Sequence, residues 1–281
     1  MKIKILGSGG GERFPATFCG CDHCVEARRA GGKSIRSLSQ TLINDDLLVD
    51  LPSDTDAHAS NFGLNFGDVA NILITHTHSD HFVPSVLFTR GSVYAHELRY
   101  PEIGLYGSCD VNRVFETVDS AYECNAGIKD SIHVNRILAY ETKKVGDYEV
   151  TALPAKHAIG KLVALNYIIK QGDKTLIYFH DTGYPNDDVL DFIKSQSIKA
   201  DCVMLDATMG TADTRDTSGH MCFAQNKRLA QKLKDMGIAS ESTVFVANHF
   251  THNNAQTHDK IEQIFEGTGI IASYDGLEIE I

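Results

Sequence analysis

The segment Thr75-His76-Thr77-His78-Ser79-Asp80-His81 decides how the rest of the chain is read. It follows an apolar run at 71–74 that predicts a strand buried on both faces. His76 and His78 stand two apart, so on extended backbone their side chains share one side. Asp80 and His81 fall in the turn that leaves the strand. Four ligand-type side chains within six residues suit a site for Zn, Fe or Mn, and a solvated polar loop has no need of that spacing.

A site for two metals needs more ligands, and three candidates follow predicted strands in the same way. His157 follows 148–153, Asp181 follows 174–179 in His180-Asp181-Thr182-Gly183, and His249 follows 243–247. Ligands gathered at successive strand ends are the usual plan of an α/β active site.

Further out, the pattern predicts a strand at 2–6, a hairpin over 41–51 around Asp45-Asp46, and strands at 92–95 and 132–139. A second hairpin is predicted over 162–179, turning at Gly172-Asp173. Helices are predicted at 186–195, with Asn186 as N-cap, and at 223–236. Strands at 202–206, 270–273 and 277–281 complete the set. Each half carries its own strands, which predicts one α/β domain over 1–281 with two sheets face to face and helices outside. The stretch 91–130 has weak periodicity and is expected to form a cap or lid.

The chain has 281 residues and a net charge of −11, which argues against gripping long nucleic acid through a basic face. No window approaches the roughly 18 apolar residues of a membrane span. The N-terminus lacks a signal-peptide core, so the expected location is cytoplasmic.

Seven cysteines without a secretory signal do not suggest a disulfide framework. Cys19, Cys21 and Cys24 have the spacing of thiolates that face one structural zinc, with His252 as the expected fourth ligand. His23 is too constrained to close that tetrahedron. Cys109, Cys124, Cys202 and Cys222 are expected to be small buried hydrophobes. The glycine loop 7–11 lacks the Lys-Ser/Thr of a P-loop and is expected to be a tight turn that brings the cysteine loop to the site. Arg13, Lys156, Lys161 and Arg215 are candidates to meet substrate phosphate, with surface solvation the better expectation for each.

Asp50 after an apolar strand, the His-x-His-x-Asp-His block, His157, Asp181 and His249 together resemble the five ordered motifs of the metallo-β-lactamase superfamily. The resemblance spans nearly the whole chain and implies a four-layer αββα sandwich. It implies one metal on His76, His78 and His157, a second on Asp80, His81 and His249, and Asp181 bridging them. Asp50 would order the ligand loop by hydrogen bonds. Two such cations lower the pKa of a shared water toward neutrality and stabilise charge developing on the attacked group. The expected cofactors are two divalent metals (Mn or Zn, with Fe as a third option) and one structural Zn.

Gly7-Ser8-Gly9-Gly10, Cys-x-Cys-x-x-Cys and Arg28-Arg29 resemble the branch that holds the phosphoribosyl cyclic phosphodiesterase of the carbon–phosphorus lyase pathway. That resemblance supports the Cys19, Cys21, Cys24 and His252 zinc site. It also implies a general acid at His220 in Gly219-His220-Met221-Cys222-Phe223-Ala224-Gln225-Asn226, with helix capping as the alternative role. The catalytic candidates are therefore His220, Asp80 and Asp181. The sequence departs from the branch in reading His180-Asp181-Thr182 for the more usual Ser-Asp-Thr. The expected activity is metal-dependent hydrolysis of a small cyclic phosphodiester, with hydroxide attack at a dinuclear site and no membrane partner. The alternatives are a nuclease trimming RNA or DNA ends and an accessory protein of pyrroloquinoline quinone type. A homodimer is compatible with all three.

Overall fold

The computed structural model describes residues 1–121, 128–157, 162–213, 219–253 and 256–281. The first half of the chain contributes β1 (Lys2–Gly7), β2 (Gln40–Ile43), β3 (Leu47–Val49), β4 (Asn71–Leu73), β5 (Ile103–Gly107) and β6 (Ile132–Arg136). The second contributes β7 (Thr142–Val145), β8 (Tyr148–Pro154), β9 (Leu165–Gln171), β10 (Lys174–Phe179), β11 (Cys202–Asp206), β12 (Val244–Asn248) and β13 (Ile270–Ala272). The last strand, β14 (Glu278–Glu280), returns to the first sheet beside β1. Two seven-stranded sheets result, ordered β14-β1-β2-β3-β4-β5-β6 and β13-β12-β11-β10-β9-β8-β7.

Side-chain alternation explains the layering. Leu176 and Tyr178 point between the sheets, while Ile177 and Phe179 point to the opposite face. Cys202 and Met204 likewise face inward, and Val203 and Leu205 outward. The inner core joins Ile3, Val49 and Leu73 of one sheet to Tyr148, Tyr167 and Met204 of the other. The outer face of the second sheet is covered by α5 (Asp187–Ser195), α6 (Phe223–Asp235) and α7 (His258–Phe265). The outer face of the first is covered by a 3-10 turn at Pro84–Arg90 and by α3 (Cys109–Ala121), whose Val111 and Phe115 are buried. This is the four-layer αββα sandwich.

Several local expectations need correction. Residues 92–95 form turns, not a strand. The described residues of 91–130 are not a cap: β5 pairs in parallel with both β4 and β6, and α3 packs against it. Its sequence, IGLYG, is a short inner strand whose two glycines hide the pattern. Helices α1 (Asp22–Ala30), α2 (Thr55–Phe62) and the short α4 (Ile128–Ser131) also lie where no helix was predicted. Cys202 and Cys222 are buried as expected, but Cys109 is exposed at the start of α3, and Cys124 lies outside the described residues. No helix among the described residues is long and apolar enough to cross a membrane.

Candidate metal centre

Strands β3 to β6 run parallel, as do β10 to β13, so the carboxyl ends within each set lie on one edge. The loops leaving β3, β4, β8, β10, β11 and β12 carry the site. Asp50, Asp181 and His249 hold left-handed backbone, with φ of 67°, 50° and 65°. Non-glycine residues pay for such backbone in strain, which collects where the surroundings over-determine a functional side chain.

Two groups of donor atoms meet there. His76, His78, His157 and Asp181 form one, and Asp80, His81, Asp181 and His249 the other, with all donors of each group within 4.8 Å of one another. In the first, His76 Nε2 lies 2.8 Å from His78 Nδ1 and 3.2 Å from Asp181 Oδ2, and His157 Nε2 lies 3.2 Å from His78 Nδ1. In the second, His81 Nε2 lies 3.1 Å from Asp80 Oδ2, 3.2 Å from Asp181 Oδ2 and 3.3 Å from His249 Nε2. Nitrogen ligands about 2.0–2.1 Å from a tetrahedral zinc stand roughly 3.3 Å apart. Both groups therefore have the spacing of ligand shells, and Asp181 belongs to each.

Neighbouring groups fix which ring nitrogen faces inward. His81 Nδ1 donates to Asp50 Oδ2 at 2.7 Å, which turns Nε2 to the cluster. Asp50 also accepts from the Thr75 amide at 2.8 Å and the Thr75 hydroxyl at 2.9 Å. His249 Nδ1 lies 2.8 Å from the Thr208 hydroxyl, which in turn donates to Asp206 Oδ2 at 2.9 Å. Burial opposes the charge of Asp181, yet the surrounding histidines hold its carboxyl well below the usual range.

Asp206 was missed in the sequence, where it only ends an apolar strand. It is fully buried and also accepts from the amides of Thr208 and Met221 at 3.1 and 2.9 Å. Its Oδ2 lies 3.3 Å from His220 Nδ1, and Asp181 Oδ1 lies 3.0 Å from the same nitrogen. Burial lowers the pKa of His220, but these two carboxylates outweigh it and raise the group to about 11. The capping role considered for His220 falls instead to Cys222, whose side chain accepts from the backbone at the third helical position of α6.

The structure brings Cys19, Cys21, Cys24 and His252 together. His252 Nδ1 lies 3.1, 3.7 and 3.6 Å from the sulfurs of Cys19, Cys21 and Cys24. Tetrahedral zinc with sulfur about 2.3 Å away sets S and N roughly 3.5 Å apart, so the four donors fit one ion. The amide of Cys24 stabilises the Cys21 thiolate and lowers its pKa to about 6, while burial raises Cys24 to about 11. His23 does not join the group.

The glycine loop passes between the two sites. A Cβ at Gly10 would meet Thr251 Cγ2 at 2.6 Å, and one at Gly11 would meet Asp80 Oδ2 at 3.3 Å. Arg13 is engaged by Asp54, with its Nε 2.9 Å from Oδ2. Lys161 and Arg215 lie outside the described residues.

With this geometry in place, the comparisons are direct. The pattern described as "Beta-lactamase superfamily domain" matches residues 55–250, well over half of the chain. The chain belongs to the beta-lactamase superfamily. Solved structures of this superfamily fold include a diphosphatase from the PhnP family, with a TM-score of 0.72 and 20% identity over 100% of this chain and 97% of that one. YhfI of Bacillus subtilis, described as a metallo-beta-lactamase fold protein, has a TM-score of 0.71 and 17% identity over 100% and 99%. Zinc-bound PqqB of Methylobacterium extorquens has a TM-score of 0.70 and 17% identity over 100% of both chains. No curated protein matches the chain. At these identities the likeness is one of fold.

Proposed function

We propose that this chain is a metal-dependent phosphodiesterase acting on a small cyclic or nucleotide-like phosphodiester. The observation that carries the reading is the seat of His220, an imidazole tied through Nδ1 to Asp181 and Asp206 beside both donor groups, with 27% of its side chain exposed.

His76, His78 and His157 would hold one divalent cation, Asp80, His81 and His249 the other, and Asp181 both. Bound there, the cations supply Lewis-acid polarisation of the phosphoryl group and an acidified water. Asp50 and Thr208 keep the rings of His81 and His249 in the ligating tautomer. His220 keeps Nδ1 on the carboxylates and offers Nε2–H, on the other side of the ring, to the leaving oxygen. Two carboxylates at Nδ1 would favour the protonated ring, the form that can give a proton to the leaving alkoxide. Cys19, Cys21, Cys24 and His252 would hold a structural zinc that anchors the loop beside the centre.

One neighbour in fold is named a diphosphatase, which supports phosphorus–oxygen chemistry for this site. The net charge of −11 favours a small substrate over a long nucleic acid. The test is hydrolysis of bis(p-nitrophenyl) phosphate and of 2′,3′-cyclic nucleotides with added Mn²⁺ or Zn²⁺, with metal content measured on the same sample. Metal-dependent turnover is expected. Fully metallated protein that turns over neither substrate would overturn the reading.

A further inference from the structure

Arg36 is fully buried, and among the described residues no carboxylate stands within ion-pair distance of it. Burial lowers its pKa to about 10, so the guanidinium stays charged at neutral pH. A buried cation is costly unless its donors find partners. Nη1 donates to the Ser8 hydroxyl at 2.9 Å and to the Ser273 carbonyl, and Nη2 donates to His258 Nδ1 at 3.1 Å. The Ser8 hydroxyl donates in turn to Asp275 Oδ1 at 2.7 Å, so the countercharge is one hydroxyl away. The face of the guanidinium lies over Phe250, with Cζ 4.1 Å from the ring centroid.

These contacts converge on the two residues that flank His249. Phe250 is held at its ring by Arg36 and at its backbone by Ser8, whose carbonyl accepts from the Phe250 amide at 2.9 Å. Asn248 is held through Ser273: the Ser273 carbonyl sits on Arg36, and the Ser273 hydroxyl donates to Asn248 Oδ1. Between them His249 keeps its left-handed φ of 65°, a backbone that persists only where the surroundings over-determine it. We infer that Arg36 is a positioning residue: acting through Phe250 and Asn248, it holds His249 Nε2 in the second donor group and so sets the affinity of that group for its cation. The inference rests on the two-cation reading of the donor groups and is independent of the bond that is hydrolysed. Arginine suits the task because it offers donors at its edge and a flat face to an aromatic ring at the same time. Ser8, Ser273, His258 and Phe250 lie outside the loops that carry His76, His78 and His157, so the first donor group is not under the same control.

The experiment is equilibrium dialysis of the metal-loaded protein against falling concentrations of free Mn²⁺, with bound manganese per chain measured at each step. Manganese prefers oxygen and imidazole to thiolate, which keeps the cysteine group out of the count. Arg36→Met keeps an unbranched apolar side chain against Phe250 and removes the fork of donors. It is expected to release one manganese equivalent at roughly 10–100-fold higher free Mn²⁺ than wild type, with the other equivalent unmoved. In a His249→Ala background the same substitution should add no further shift, because its effect runs through His249. A merely structural role would weaken both equivalents together and add its loss on top of His249→Ala. Ser273→Ala leaves Arg36 in place and removes the hydroxyl on Asn248; it should shift the same equivalent in the same direction, and it carries the test if Arg36→Met does not fold. Parallel weakening of both equivalents, or an unshifted curve in the folded variant, would overturn the inference. Wild type that never takes up two manganese ions would strike the two-cation reading first, and this inference with it.

Discussion

His220 and Asp206 form a division of labour that makes different predictions for each residue. His220 is partly exposed and touches the centre, while Asp206 is fully buried and accepts from three backbone amides and a hydroxyl. His220→Ala should keep its metals and lose about 10²–10⁴-fold in turnover on esters with poor leaving groups. Esters of p-nitrophenol, whose leaving group needs no proton, should suffer much less. Asp206→Ala leaves several buried donors unpaired, at about 1–3 kcal/mol each, so urea denaturation should show a large stability loss along with the activity loss. His58, far from ligation, tests electrostatics. Its ring nitrogens are 2.7 Å from Gln40 Oε1 and 2.7 Å from Ser37 Oγ, and burial lowers its pKa. The unfolded chain then binds the proton more readily, so this contribution to stability is complete above the unfolded value of about 6.5 and is lost as pH falls through the folded value. Urea midpoints measured from pH 7 down to pH 5 should fall less steeply in His58→Gln than in wild type.

At the scale of elements, the proposed zinc would tie the cysteine loop and α1 to His252, alongside an ion pair between Glu26 and Lys260. Cys24 and Ala27 pack with Phe14, Ala16 and Cys19 in a small hydrophobic cluster. Cys21→Ser should therefore release one zinc per chain by elemental analysis and lower the melting temperature, with the catalytic metals lost only secondarily. Unchanged metal content would contradict the assignment. The legibility of the sequence follows the same physics. Strands β4, β10 and β12 are apolar runs followed by ligand-type residues, and both the runs and the ligand types can be read residue by residue. The three cysteines and His252 were legible because chemistry restricts such spacing. Helix α2, TDAHASNF, has too weak an apolar stripe to announce itself, and β5 is interrupted by glycine. Asp206 was hidden because a single aspartate closing a buried strand has no spacing signature. Its role arises from residues 208 and 220–221, which only the fold brings to it.

For the whole molecule, the centre acts as a clasp between two sheets. His76, His78, Asp80 and His81 leave the first sheet, and His157, Asp181 and His249 leave the second. Each donor group draws on both. Metal removal by a chelator should therefore lower the melting temperature and raise amide exchange at the strand ends of both sheets at once. An ion present at about 100 times its Kd adds roughly 2.7 kcal/mol to the folded state, so the shift should be well outside error. Loss of protection confined to one sheet would argue against a shared clasp.

The return of β14 to β1 sets the order in which the protein can be made. Glu280 pairs with Lys2, so the edge strand that seals the first sheet is translated long after the strand it covers. A nascent chain can build most of β1 to β6 on the ribosome, but β1 keeps an open edge until β14 has emerged. An uncovered edge is a template for pairing with other chains. Assembly of the donor groups is delayed in the same way, because His249 emerges long after His76 and His78. Newly made protein thus passes through a metal-free interval with an unsealed edge, and it is in this interval that dependence on chaperones should be greatest.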